Sequence, residues 1–120
     1  MARDYRVVPG ELTVRATVSN LISYQLLSGT VGIDLSAVGT VELWLKDNAG
    51  GTSSYSTAGG SPKISIVGTA SGSVGFTPGT GDLAAGSAPY QGYFRLRTGA
   101  AAWYHVPEDS ELTIHVRDVY

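Results

Sequence analysis

His105 and His115 are the only imidazoles in the chain, and a metal site built on them needs convergent geometry and a further ligand. They fall in different predicted strands, with His115 on a polar face, which reads as a solvated or partner-facing histidine. Glu108, Asp109 and Glu111 gather at the Pro107 corner. Carboxylates there would suit a hard cation such as calcium, but the ligand spacing of a calcium loop is missing, so the group reads as a charged turn. Ser53, Ser54, Ser56 and Ser61 have neither a glycine elbow nor a placed base beside them, and nucleophilic catalysis has no constellation to support it. The run Gly79-Thr-Gly-Asp82 lacks the lysine and following helix of a phosphate loop. With no cysteine present, thiolate ligands, thiol nucleophiles and disulfides are excluded. The expectation is a protein that is not an enzyme and carries no metal or cofactor.

Other residues suit recognition better than catalysis. Trp44, Tyr93, Arg95, Arg97 and Arg117 are the candidate partner interface: the alternation around each places it on the polar face of a strand, and aromatics and arginines are the types enriched where proteins make energetically important contacts. An outward tryptophan is either covered by a loop of its own chain or reserved for another chain, since so large an apolar area is rarely left bare. A different class of partner is suggested by Tyr90, Tyr93, Trp103 and Tyr104, which together would offer a stacking platform for carbohydrate. Alternation weakens that platform by sending Tyr90 inward and placing Trp103 and Tyr104 on opposite faces.

The elements that must carry these residues are strands. In the last third, Tyr90–Arg97 and Glu111–Arg117 alternate apolar with polar: Tyr90, Gly92, Phe94 and Leu96 share one face, and Leu112, Ile114 and Val116 form another. Ala101–Val106 supplies a third strand between them. Thr40–Asp47 is equally clear, with Val41, Leu43 and Leu45 inward and Glu42, Trp44 and Lys46 outward. Glu11–Val18 reads as a strand with Leu12, Val14, Ala16 and Val18 inward, preceded by a short edge strand at Tyr5–Val8 that Pro9-Gly10 ends. Leu21–Leu27 is apolar without a clean period and reads as a strand or a single helical turn, the strand preferred. Gly29–Ala37 sets Val31, Ile33 and Leu35 on one face. Lys63–Gly68 and Ser73–Thr77 form a hairpin across Thr69–Gly72. Asn48–Pro62 is too polar and glycine-rich to repay its ordering, and the expectation is a mobile surface loop. In a second loop, Pro78–Pro89, Asp82 would cap a turn over Leu83–Ala85, and the position of Tyr90 suggests a corner tyrosine, with a phenol capped by solvent as the equal alternative.

Composition agrees with this outline. The chain has 120 residues, 16 of them glycine, and only 15% are charged, the balance of an all-β protein with many tight turns. That length suits a single domain, residues 1–120, burying roughly two-thirds of its unfolded surface. The formal charge is −2 and the eight basic residues are scattered, which leaves no basic stripe for a phosphate backbone and argues against nucleic acid. No apolar run approaches the ~20 residues of a membrane helix, and the N-terminus lacks the apolar core of a signal peptide. No membrane partner is expected, and synthesis in the cytoplasm is. Seven to nine short antiparallel strands with glycine-rich connections point to an immunoglobulin-like β-sandwich.

From Leu35 onward the order of pieces is distinctive: Asp-Leu-Ser, Thr-Val-Glu-Leu-Trp-Leu-Lys-Asp, Gly-Ser-Val-Gly-Phe-Thr, Asp-Leu-Ala-Ala-Gly before an aromatic strand, and a closing Leu-Thr-Ile-His-Val. Over residues 34–118 this order resembles the immunoglobulin-like N-terminal domain of baseplate upper proteins from siphophages, and related domains on other tailed-phage virion proteins. The N-terminal third departs from that pattern, Asn48–Pro62 looks like an insertion, and the sequence ends at Tyr120 without the linker or helical extension of those proteins. What the resemblance implies is a non-enzymatic accessory structural protein of a bacteriophage virion, made in the bacterial cytoplasm. Its partners would be other virion structural proteins, at the tail, baseplate, neck or head, with copies arranged as a homo-oligomer or symmetric ring. The alternative is a carbohydrate-binding module for host-surface glycans.

Overall fold

The computed structural model describes residues 5–15, 21–36, 38–58, 62–79, 82–98, 102–107 and 110–117, without the side chains of Thr98, Ala102 and Trp103. Alternating burial along its strands, buried Val41, Leu43 and Leu45 against outward Glu42, Trp44 and Lys46 for example, is the pattern a sheet adopts when one face meets a core and the other does not. The strands are β1 (Tyr5–Val8), β2 (Glu11–Arg15), β3 (Ile22–Ser28), β4 (Val31–Gly32), β5 (Val38–Lys46), β6 (Thr52–Ser56), β7 (Ile64–Gly68), β8 (Ser73–Phe76), β9 (Tyr90–Thr98), β10 (Ala102–Val106) and β11 (Leu112–Arg117), with one short 3₁₀ turn at Ala85–Ser87.

They form two sheets. The first is five-stranded, in the order β1-β3-β8-β7 with β4 also paired to β3; the second is six-stranded, in the order β2-β11-β9-β5-β6 with β10 also paired to β9. The chain changes sheet between β1 and β2 at Pro9-Gly10, so that β1 edges one sheet while β2 runs parallel to β11 in the other. β10 and β11 both flank β9, end to end: Val106 lies opposite Phe94 and Leu112 opposite Gly92. A four-strand path facing a sheet centred on β11, β9 and β5, with an extra strand outside β5, is the immunoglobulin-like sandwich in its variable-type arrangement.

The two inner faces meet in one core that includes Leu26, Leu43, Phe76, Phe94, Val106 and Ile114, all fully buried, each contributing on the order of 1.5–3 kcal/mol. Tyr24 of the first sheet meets Phe94 of the second edge-on, with ring centroids 5.3 Å apart. The corner expectation holds: the Tyr90 hydroxyl accepts a hydrogen bond from the Ala84 amide at 3.0 Å.

Several expectations need correction. Eleven strands stand among the described residues rather than seven to nine, and one pairing, β2 with β11, is parallel. β2 ends at Arg15, and Ala16 and Val18 lie outside the described residues. Of Gly29–Ala37, whose Val31, Ile33 and Leu35 the alternation sets on one face, only Val31–Gly32 (β4) forms strand among the described residues, and Val31 is exposed while Leu35 is buried. The described part of Asn48–Pro62 is no loose loop: β6 lies within it, laddered to β5 from Glu42–Ser56 to Lys46–Thr52. The reason is that β5 supplies the backbone partners, while Tyr55 brings the apolar contact by packing on Phe76 at 4.9 Å. Nor does Asp82 cap the turn; its carboxylate accepts from the Lys63 ammonium and the Gly79 amide, and the 3₁₀ turn at Ala85–Ser87 has no side-chain cap.

Candidate functional site: the outer face of the six-stranded sheet

Register places the outward residues of β5, β9 and β10 in cross-strand rows. Trp44 lies beside Tyr93; in the next row Glu42, Arg95 and His105 stand in line; beyond them Thr40 pairs with Arg97. Directly opposed side chains on one face are within contact distance, and here they interlock. The indole Nε1–H of Trp44 donates to Glu42 Oε1 at 2.9 Å. The Arg95 guanidinium sits 5.6 Å from the centre of the Trp44 ring, with its Nη1 3.7 Å from the same Glu42 oxygen. Tyr93 leans the same way and stacks on His105 at 4.7 Å and 32°.

The energies are modest. The Glu42 and Arg95 side chains keep about a quarter of their surface (23% and 24%), so their attraction is worth at most about 1 kcal/mol, and the cation–π contact about 0.5–1 kcal/mol. Together they restrain Trp44 without covering it: Trp44, like Tyr93, is half-buried. It is braced by its own neighbours and still presents surface.

Of the five expected interface residues, the structure brings together Trp44, Tyr93 and Arg95, with Arg97 one row further along. Arg117 stands apart. It is exposed at the far end of β11, opposite Arg15 of β2, on the order of 30 Å along the strand direction from Arg97. His105 and Glu42 belong to the cluster and were not in the expected set; the register that places Glu42, Arg95 and His105 in one row is the signal that finds them.

Among the described residues no group of three or more His, Asp or Glu side chains could hold a metal ion, and Glu108 and Asp109 lie outside them. His105 is taken by Tyr93, and His115 Nε2 lies 2.6 Å from Glu11 Oε2 on the β2 edge. Ser53, Ser54 and Ser56 are on β6; Ser61 lies outside the described residues. The four-aromatic platform does not form. Tyr90 is buried, Tyr104 packs edge-on against Tyr5 at 6.2 Å, and the Trp103 side chain lies outside the description.

At the other side of Trp44 and Tyr93 the face is notched. β10 is registered to β9 as far as Val106 opposite Phe94, and β11 from Leu112 opposite Gly92, so among the described residues of these two strands none is registered against Tyr93. The cavity is about 140 Å³, with Leu45 and Gly92 among its lining residues.

No protein-family model and no curated protein matches the sequence. Among solved structures, one chain from work on the structural basis of T cell specificity and activation by the bacterial superantigen toxic shock syndrome toxin-1 superposes with a TM-score of 0.57 at 10% identity, covering 97% of this chain and 100% of that one. Extracellular domains 3–5 of Drosophila OTK superpose with a TM-score of 0.37 at 15% identity, over 99% of this chain and 37% of that one. At such identities the likeness to the first structure concerns the fold alone, and the chain is an immunoglobulin-like β-sandwich whose function must be argued from its own surface.

Proposed function

We propose that this domain is a non-enzymatic structural module that docks on another protein subunit through the outer face of its six-stranded sheet. The order of sequence pieces over residues 34–118 supports placing it as an accessory protein of a tailed-phage virion, with other virion structural proteins as partners. The observation that carries the docking reading is the braced cluster of Trp44, Tyr93, Arg95 and Glu42: aromatic and arginine side chains held in position on a flat sheet, so that little further ordering is required when a partner covers them. In a symmetric assembly each copy needs only a modest contact, because repetition multiplies its strength.

The test is Trp44→Ala combined with Arg95→Glu, scored for incorporation into virions and, separately, for melting of the purified domain. Loss of incorporation with melting unchanged is the expected result. Normal incorporation overturns the reading.

A further inference from the structure

The geometry points to a ligand subsite for one neutral sugar ring in the notch beside Trp44 and Tyr93. This goes beyond the docking reading and does not rest on it. The docking cluster comprises Trp44, Tyr93, Arg95 and Glu42; the notch shares its two aromatics but lies on their other side, over the Lys46–Gln91 row.

Three observations converge. First, both aromatic walls are braced from behind: Trp44 by Glu42 and Arg95, Tyr93 by His105. The surfaces they turn to the notch are held before any ligand arrives, which lowers the ordering cost of binding. Second, the rim is polar and varied. Lys46, Thr52, Gln91 and Glu111 surround the aromatic walls, supplying an ammonium, a hydroxyl, an amide and a carboxylate that donate and accept hydrogen bonds in the plane of a ring. Apolar walls with a few convergent polar groups are the usual build of a small-molecule site. Third, size and charge narrow the ligand. The cavity of about 140 Å³ falls below the ~300–1,000 Å³ of a drug-sized pocket, so it admits one ring. One cation and one anion on the rim cancel, which disfavours a charged ligand. A pyranose answers all three: its C–H face stacks on an aromatic wall while its hydroxyls reach the rim.

The test is a titration of the isotopically labelled domain with methyl glycosides of glucose, galactose, mannose and N-acetylglucosamine, followed by amide and indole NMR shifts. A parallel titration uses N-acetyl leucine amide and N-acetyl proline amide. The expected result is saturable shifts with at least one glycoside, concentrated at the Trp44 indole N–H and the amides of Gln91, Gly92 and Tyr93. Gln91→Ala and Glu111→Gln, both on exposed rim positions, should each weaken that glycoside by roughly three- to tenfold, the loss of about one hydrogen bond, and leave virion incorporation unchanged. No shift with any glycoside overturns the proposal. So does binding that the two rim variants leave untouched. Shifts with the amino-acid amides alone also overturn it, and give the notch to a side chain of a protein partner. Sugar binding is read on the isolated domain and docking on the virion, so either can fail without the other.

Discussion

The two sheets share one core and one alternation, yet their outer faces are furnished differently. At the centre of the five-stranded sheet, Ser23, Gly75 and Ser65 stand in one cross-strand row, with the Leu21 side chain lying over Gly75. At the centre of the six-stranded sheet, the matching rows hold Trp44 beside Tyr93 and Glu42 beside Arg95. Small side chains have little rotamer freedom to lose, whereas ordering a long one such as Arg or Glu costs about 1.5–2 kcal/mol. The row of Ser23, Gly75 and Ser65 holds its strands with no large outward side chain, while Arg6 and Gln25 elsewhere in the same sheet are held by the Gly29 and Ser71 carbonyls. The second face orders several long side chains through weak mutual contacts.

The comparison breaks most visibly if outward residues carry the fold. Phe94→Ala or Leu43→Ala should cost about 2–5 kcal/mol in urea melts, because each empties a fully buried site in the shared core. Glu42→Ala should cost no more than about 1 kcal/mol. Equal losses would make the braced cluster part of the folding machinery and remove the contrast.

A smaller effect sharpens the difference in backbone packing. Gly92→Ala pushes a methyl into the Trp44 carbonyl and the β5 backbone, which cannot move without disturbing the ladder, and should cost about 1–3 kcal/mol. At Gly75 the obstacle is the end of the flexible Leu21 side chain, so Gly75→Ala should cost clearly less in the same melts. The reverse order would mean that the close approach of the β5 backbone to Gly92 does not constrain the ladder.

Between the faces, Tyr24 carries a buried hydroxyl with no hydrogen-bond partner. Tyr24→Phe should therefore be neutral or stabilising, by up to about 1 kcal/mol. Burial also holds the phenol neutral to higher pH than usual, so the native state keeps a proton that the unfolded chain releases near its ordinary value of about 10. Stability is full below that pH and declines above it, and Tyr24→Phe should flatten the decline in melts taken across the alkaline range. Tyr55, raised by its burial and by the Asp82 carboxylate, leaves a residual slope.

The smallest effect belongs to the β2 edge. Glu11 and His115 keep 69% and 44% of their side-chain surface, so Glu11→Gln should change stability by about 0–1 kcal/mol, less at high salt. Incorporation should be untouched. A docking defect there would extend the working surface to Arg117, which the present cluster excludes.

Much of this was legible before any coordinates. The alternation of Thr40–Asp47, Tyr90–Arg97 and Glu111–Arg117 marked β5, β9 and β11 and sorted Leu43, Phe94 and Ile114 inward from Trp44, Tyr93 and Arg95 outward. A two-residue period is a local property, written wherever one face of a strand meets apolar matter. β6 escaped because its Thr-Ser-Ser-Tyr-Ser sequence has almost no apolar content of its own; its order comes from hydrogen bonds to β5. The parallel pairing of β2 with β11 escaped for a related reason, since side-chain alternation records faces and not neighbours.

By itself, then, the sequence determined the all-β class, the inward and outward sets and the absence of thiol chemistry, all of which follow from residue type and short-range spacing. Tertiary structure alone decided that the Tyr90 hydroxyl meets the Ala84 amide, that Glu42, Arg95 and His105 share a row, that Arg117 lies far from Arg97, and that Lys46, Gln91 and Glu111 gather around a notch beside Trp44 and Tyr93. Those depend on strand order and register, which are set by the closing of a core between residues distant along the chain.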